Sequence, residues 1–313
     1  MRRGLTNQPA KWGSPRLSLA LFLILSLLLA SCGGGGSKRK AVATPTQVAT
    51  SATRISDTKG ASNSLITQRH RFTSSPVVYL DPGHGSVDTG TQGYTDSGQL
   101  VYERTVVLQI ALRTATLLRQ DGITVVMTRT TPTDPCALPS DYAPGGGALS
   151  AEGVLNDLQC RINKANAAHA QVLLSIHMNA YSDPSVGGTE TFYDSTRSFG
   201  AENEQLANLI QNHLMQALHS QGYTTPDRGI TDDTQLQAES MGTMPSSYDH
   251  LVMLGPGVPG KLTPSDMPGA LCEVFFLSDP AEATAVVQPQ MQNLVANAFT
   301  LALEQFLMEN GVQ

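Results

Sequence analysis

The chain has 313 residues, a formal charge of −6 and 40% hydrophobic residues, enough to bury a sizeable core in one or two domains. This acidic balance excludes a protein built to grip nucleic acid, because phosphate contacts need basic surface.

The first residues read as a leader rather than as fold. Arg2, Arg3, Lys11 and Arg16 form a positive stretch with no acidic residue, and a largely apolar run of 14 residues follows, Leu17 to Ala30. A membrane span needs about 20 residues, whereas this length suits a secretory signal. The run ends Leu29-Ala30-Ser31-Cys32. That ending resembles a bacterial lipobox, in which the cysteine is lipidated and becomes the mature N-terminus. Residues 1–31 are therefore expected to be a lipoprotein-type signal peptide, with an ordinary signal peptide or an uncleaved anchor as the alternative. Removing them takes away four basic residues and moves the formal charge from −6 to −10. It also removes Trp12, the single Trp, and with it any indole platform for stacking long glycans. Residues 32–74 begin at Cys32, continue through Gly33 to Gly36, and are rich in Ser, Thr, Ala and Gly. They are expected to be a lipidated cysteine and a disordered tether. The protein is then exported and anchored by Cys32 to the outer face of the cytoplasmic membrane or to another envelope membrane.

A folded domain is expected over 75–313. Pro76 to Leu80 reads as a buried strand and Asp81 to Gly98 as a Gly-rich loop. Glu103 to Arg119 reads as a helix, with Val106, Val107, Ile110, Leu117 and Leu118 on one face. A strand over Ile123 to Met127 follows. Thr130 to Gly153, with Pro132, Pro135, Pro139, Pro144 and Gly145-Gly146-Gly147, reads as a long loop. A helix from Asn156 to Ala168, a strand from Val172 to Ile176, a strand from Thr189 to Tyr193 and a helix from Ala201 to Ser220 come next. Pro226 to Pro268 reads as a second long loop, Ala270 to Leu277 as the last core strand, and Met291 to Met308 as a closing helix. Alternating strands and helices predict one α/β domain, its mostly parallel or mixed sheet flanked by helices on both faces. Among the cysteines, Cys136 and Cys160 bracket a loop-like stretch and are candidates for a disulfide; Cys272 lies in an apolar strand pattern and reads as a small buried hydrophobe.

Active groups in such sheets gather at the carboxyl ends of strands. His84, His177 and Glu273 each lie at or near such an end, and Glu103 starts a helix on the same rim. Two histidines and one glutamate suit zinc with one position left open. A second glutamate is the natural general base. Glu273 stands among Leu271, Cys272, Val274, Phe275 and Phe276. An unpartnered carboxylate there costs several kcal/mol, so metal-site chemistry or a buried salt bridge must account for it. Asp81 is either a residue that orients a ligand histidine from behind or a turn former before Pro82. Asn179 is either a turn residue or a polar contact to substrate.

These motifs resemble one family in their order. Leu80-Asp81-Pro82-Gly83-His84-Gly85, Tyr102-Glu103-Arg104, Met127-Thr128-Arg129, Ser175-Ile176-His177-Met178-Asn179-Ala180, Gly188-Thr189-Glu190-Thr191-Phe192-Tyr193 and the strand through Glu273-Val274-Phe275-Phe276 are similar to the zinc-dependent N-acetylmuramoyl-L-alanine amidases of the amidase 3 type. The resemblance implies one Zn2+ held by His84, Glu103 and His177, with Glu273 as general base and then acid. It implies hydrolysis of the amide between N-acetylmuramic acid and L-alanine of peptidoglycan, in wall remodelling or cell separation. Loops 131–156 and 231–267 look longer than the family needs, and one of them is expected to gate the groove. A zinc peptidase acting on stem peptides and a non-catalytic wall-binding protein are the two rival readings.

Overall fold

A computed structural model describes residues 75–236 and 248–311. The expected leader, Cys32 and the tether lie outside the described residues. No helix among the described residues is long and apolar enough to cross a membrane.

The core is a six-stranded sheet built from β1 (Val77–Pro82), β4 (Thr124–Met127), β5 (Val172–Asn179), β6 (Thr189–Tyr193), β7 (Asp227–Asp232) and β8 (Gly269–Phe276). Its order is β4-β1-β5-β8-β6-β7. β4, β1, β5 and β8 run parallel. β6 pairs antiparallel with β8, and β7 parallel with β6. A separate two-stranded hairpin joins β2 (Gln92–Tyr94) to β3 (Leu100–Tyr102).

Strand residues alternate between two cores, as the period of two demands. Val78, Leu80, Leu174, Ile176, Cys272 and Val274 face one cluster. There they meet α1 (Glu103–Gln120), α3 (Gly200–Ser220), α4 (Pro280–Val286) and α5 (Pro289–Glu309). Tyr79, Leu173, Leu271 and Phe192 face the other cluster, with Leu155 and Ile162 of α2 (Ala151–Ala167). Helices thus cover both faces of a mixed sheet, as the alternation predicts.

Several expected boundaries shift for local reasons. The loop over 81–98 contains β2, and the loop over 226–268 contains β7. β2 is too short to show periodicity, and Gly229 interrupts β7 at φ 75°. α2 begins at Ala151, five residues before the apolar pattern starts. Ser150 caps it by accepting from the Gly153 amide at 2.9 Å. A Cβ on Gly153 would strike the Asp141 carbonyl. α4 follows Asp279, whose side chain accepts from Ala281 N, with Pro280 at its first position. The stretch Val252-Met253-Leu254 packs into the second core, so much of the second long loop is fastened rather than loose. Cys136 and Cys160 form a disulfide with Cα atoms 5.5 Å apart. Cys272 is free and buried.

Candidate metal centre and active site

β1 delivers the first histidine. Its chain leaves the sheet at Pro82 and turns sharply, placing His84 at φ 60° and Ser86 at φ 52°. A non-glycine residue with positive φ carries a backbone cost, so something must hold it. Two arginines do. Arg129 donates to Pro82 O at 3.1 Å and, through one Nη, to Gly83 O at 2.8 Å. Arg161 donates to His84 O at 3.0 Å. Three successive carbonyls of the turn are thereby capped by guanidinium groups.

Arg161 is almost wholly buried and is itself fixed by carboxylates. It pairs with Asp81 at 2.9 Å and Asp157 at 3.0 Å, and also with Asp134. Asp81 is fully buried and accepts from Thr128 Oγ1 at 2.6 Å and Ser175 Oγ at 2.8 Å. Burial pushes its pKa up, but Arg161 and these hydroxyls outweigh burial and hold it below its ordinary 3.8. The disulfide brackets this knot, with Cys136 two residues past Asp134 and Cys160 just before Arg161. The same turn ties to the first long loop through Ser86 N to Pro132 O at 3.0 Å and Asp134 N to Ser86 Oγ at 2.8 Å.

β5 delivers the second histidine, and His177 lies within the strand rather than beyond it. Glu103 opens α1 and is 2% exposed. Its Oε1 lies 3.1 Å from His84 Nε2 and 3.0 Å from His177 Nδ1, and accepts the Met178 amide at 2.9 Å. Its Oε2 accepts Thr91 N at 2.7 Å. The His84 and His177 rings stand edge-on, 5.0 Å between centroids. His84 Nδ1 bonds Asp88 Oδ2 at 2.7 Å, which fixes the ring and directs the Nε2 lone pair toward Glu103 and His177.

The group fits a metal on three observations. Imidazole nitrogens and a carboxylate oxygen are its donors, and they lie within 4.8 Å of one another. Glycines leave room around them: a Cβ on Gly83 would overlap the His177 ring, and one on Gly90 would lie 2.5 Å from Glu103 Oε2 and 2.6 Å from His84 Cδ2. The local field also favours a cation. Burial would lower the His84 pKa, yet Glu103 and Asp88 raise it well above its ordinary value.

Glu273 lies on β8 directly opposite His177 of β5. Its Oε2 is shut off from solvent and has no hydrogen-bond partner. Burial, then the negative charges of Glu103 and Glu190, push its pKa well up. Of the two explanations open for a buried Glu273, no salt bridge is present among the described residues.

Two expectations change in detail. Asp81 makes no hydrogen bond to a histidine; it acts on His84 through Arg161. Asn179 ends β5, accepts the Ala180 amide at 2.8 Å, and leaves its buried Nδ2 without an acceptor. Asp88 escaped the sequence reading, as did two further residues. Glu190 of β6 faces Glu273 across the antiparallel pair, bonds Thr231 at 2.7 Å through Oε1, and leaves Oε2 unpartnered. Arg161 is the other. A glutamate inside the apolar strand Thr189–Tyr193 was the available signal for the first, the same signal that singled out Glu273.

A group able to hold a metal, beside a buried carboxylate with a free oxygen on the carboxyl edge of an α/β sheet, is an arrangement suited to hydrolysis. Residues 78–305 match the Amidase_3 family, described as N-acetylmuramoyl-L-alanine amidase, and the chain belongs to that family. It is 32% identical over 238 residues to the germination-specific N-acetylmuramoyl-L-alanine amidase of Bacillus subtilis (strain 168), covering 76% of this chain and 82% of that one. It is 33% identical over 244 residues to N-acetylmuramoyl-L-alanine amidase LytC of the same organism, 78% of this chain but 38% of that longer protein. The crystal structure of an N-acetylmuramoyl-L-alanine amidase from Clostridium difficile 630 superposes with a TM-score of 0.54 at 27% identity, covering 76% of this chain and 99% of the other. The family selects the amidase over the stem-peptide peptidase and the non-catalytic binder.

The Asp81–Arg161 pair yields a pH-dependent expectation. The folded-state pKa of Asp81 lies below 3.8, so the carboxylate stabilises the fold above that value, and the contribution is lost as pH falls through the folded-state pKa. Asp81→Asn removes one of the three carboxylates around the buried Arg161 guanidinium and is expected to cost about 1.5–3 kcal/mol at neutral pH. Urea unfolding should show the gap to wild type narrowing once pH drops below the ordinary carboxylate range. A gap that stays constant with pH contradicts the ion pair.

Proposed function

We propose that this protein is an exported, lipid-anchored amidase that uses one zinc ion, held by His84, Glu103 and His177, to cleave the bond between N-acetylmuramic acid and L-alanine in peptidoglycan. The observation that carries this reading is Glu273: a buried carboxylate with an unpartnered oxygen, one strand away from His177. Bound zinc supplies Lewis acidity, which makes water a nucleophile near neutral pH and polarises the scissile carbonyl. Glu273 Oε2 accepts the proton of that water and returns it to the leaving amine of L-alanine. Burial and the Glu103 charge raise its pKa, which favours the second of these roles, return of the proton to the amine. Asp88 keeps the His84 ring in one orientation, and the two arginines hold the turn that carries it.

Anchoring rests on Leu29-Ala30-Ser31-Cys32 and the glycines after it. The Ser-, Thr-, Ala- and Gly-rich composition of residues 33–74 suits a tether between such an anchor and the domain. The folded domain is 75–313 in this reading. Peptidoglycan is the partner, and no nucleic acid is.

Two experiments test these proposals. Glu273→Gln is expected to keep the zinc content of wild type while releasing L-alanine amino termini from purified peptidoglycan at least about 100-fold more slowly. Undiminished release by the variant would remove Glu273 from the chemistry. For the anchor, Cys32→Ala is expected to leave the membrane fraction for the soluble envelope fraction; a variant that stays membrane-bound contradicts lipidation at Cys32.

A further inference from the structure

A second convergence of ligand-type side chains lies away from the amide chemistry, at the opposite edge of the sheet. Asp194 directly follows β6, and Asp233 directly follows β7. These strands run parallel, with Tyr193 opposite Asp232, so the next residue of each leaves the sheet beside the other. Both aspartates are 0% exposed. Like charges side by side on neighbouring strands destabilise a sheet, and burial sharpens the cost. His250 reaches them from the far side of the second long loop. Its Nδ1 lies 2.8 Å from Asp194 Oδ2 and 3.3 Å from Asp233 Oδ1.

Hydrogen bonding does not complete the cluster. Asp194 Oδ1 accepts the amide of Thr196 at 2.6 Å and its hydroxyl at 2.5 Å. Asp233 Oδ2 accepts the Leu251 amide at 2.9 Å. The His250 nitrogen aligns with Asp233 Oδ1. Asp194 Oδ2 receives no hydrogen bond, although it is buried and turned into the cluster. One ring nitrogen carries one proton or one lone pair, so His250 cannot satisfy both carboxylates. Arg197 is the nearby cation, but its donors go to the carbonyls of Leu254, Gly255 and Ser265 and to the Ser265 hydroxyl.

We propose that Asp194, Asp233 and His250 form a second, structural divalent-metal site of the zinc class. One ligand atom from each residue lies within 4.8 Å of the others, as in the catalytic group. An imidazole beside two carboxylates suits zinc, whereas calcium and magnesium favour oxygen donors throughout. A metal there replaces the 2.8 Å contact between His250 Nδ1 and Asp194 Oδ2, neutralises both aspartates, and ties the segment carrying Tyr248 to Gly255 to the ends of β6 and β7. Binding requires neutral His250, so it releases any proton the ring carries.

The test is metal stoichiometry in the purified full-length chain, loaded with zinc and then passed through a desalting column. Wild type is expected to retain about two zinc ions, and the His84→Ala/His177→Ala variant about one. Asp233→Asn is expected to lose one ion while keeping the catalytic one. Should Asp233→Asn fail to fold, cobalt(II) titrated into the His84→Ala/His177→Ala chain gives the answer: a visible band of tetrahedral cobalt supports the site. Failure of that chain to retain zinc or develop the band overturns the proposal, leaving the cluster as an ion pair. Loss of the catalytic zinc alone would instead count against the proposed function, so the two failures are distinct.

Discussion

Everything in the catalytic half turns on one buried carboxylate. Glu103 is 2% exposed and sits between two imidazoles, with each of its oxygens also taking a backbone amide. Burial opposes its charge, and His84 and His177 more than offset that, holding its pKa far below the ordinary value. Such a group is stable only if both histidines are brought to it from separate strands. The parallel pairing of β1 with β5 does this, and Gly83 and Gly90 clear the space between them.

The turn bearing His84 is held from behind by a second buried system of charges. Arg161 and Arg129 cap its carbonyls, and Asp81 fixes Arg161. A strained residue persists where its surroundings over-determine it, and His84 at φ 60° meets that condition. The disulfide between Cys136 and Cys160 closes the first long loop around the same arginine. That loop is fastened to the turn bearing His84, and its place in the fold is support. At the other edge of the sheet, Asp194, Asp233 and His250 fasten the second long loop in a comparable way. The candidate catalytic residues occupy one end of the sheet, and this cluster occupies the other.

Much of this was legible in the sequence. The strand before Asp81 is a continuous apolar run and the helix from Glu103 is periodic, while His84, Glu103, His177 and Glu273 stand out as polar groups at or next to the ends of apolar runs or inside one. What escaped did so for physical reasons. β2 is three residues long, too short for alternation to register. β7 carries Asp227, Gly229, Asp232 and few apolar residues, because it lies at the sheet edge. Arg161 looks like an ordinary helix-surface arginine until the fold sets Asp81 and Asp134 around it. Asp194 and His250 are 56 positions apart, and only the register of β6 against β7 and the return of the second loop bring them together.

The most direct test of the catalytic account is a zinc-edge anomalous difference map from crystals of the metal-loaded protein. The expected result is a peak bounded by His84 Nε2, His177 Nδ1 and the Glu103 carboxylate, with Glu273 facing it from β8. A map with no peak at that place would contradict the assignment of these three residues as ligands, and with it the chemistry given to Glu273.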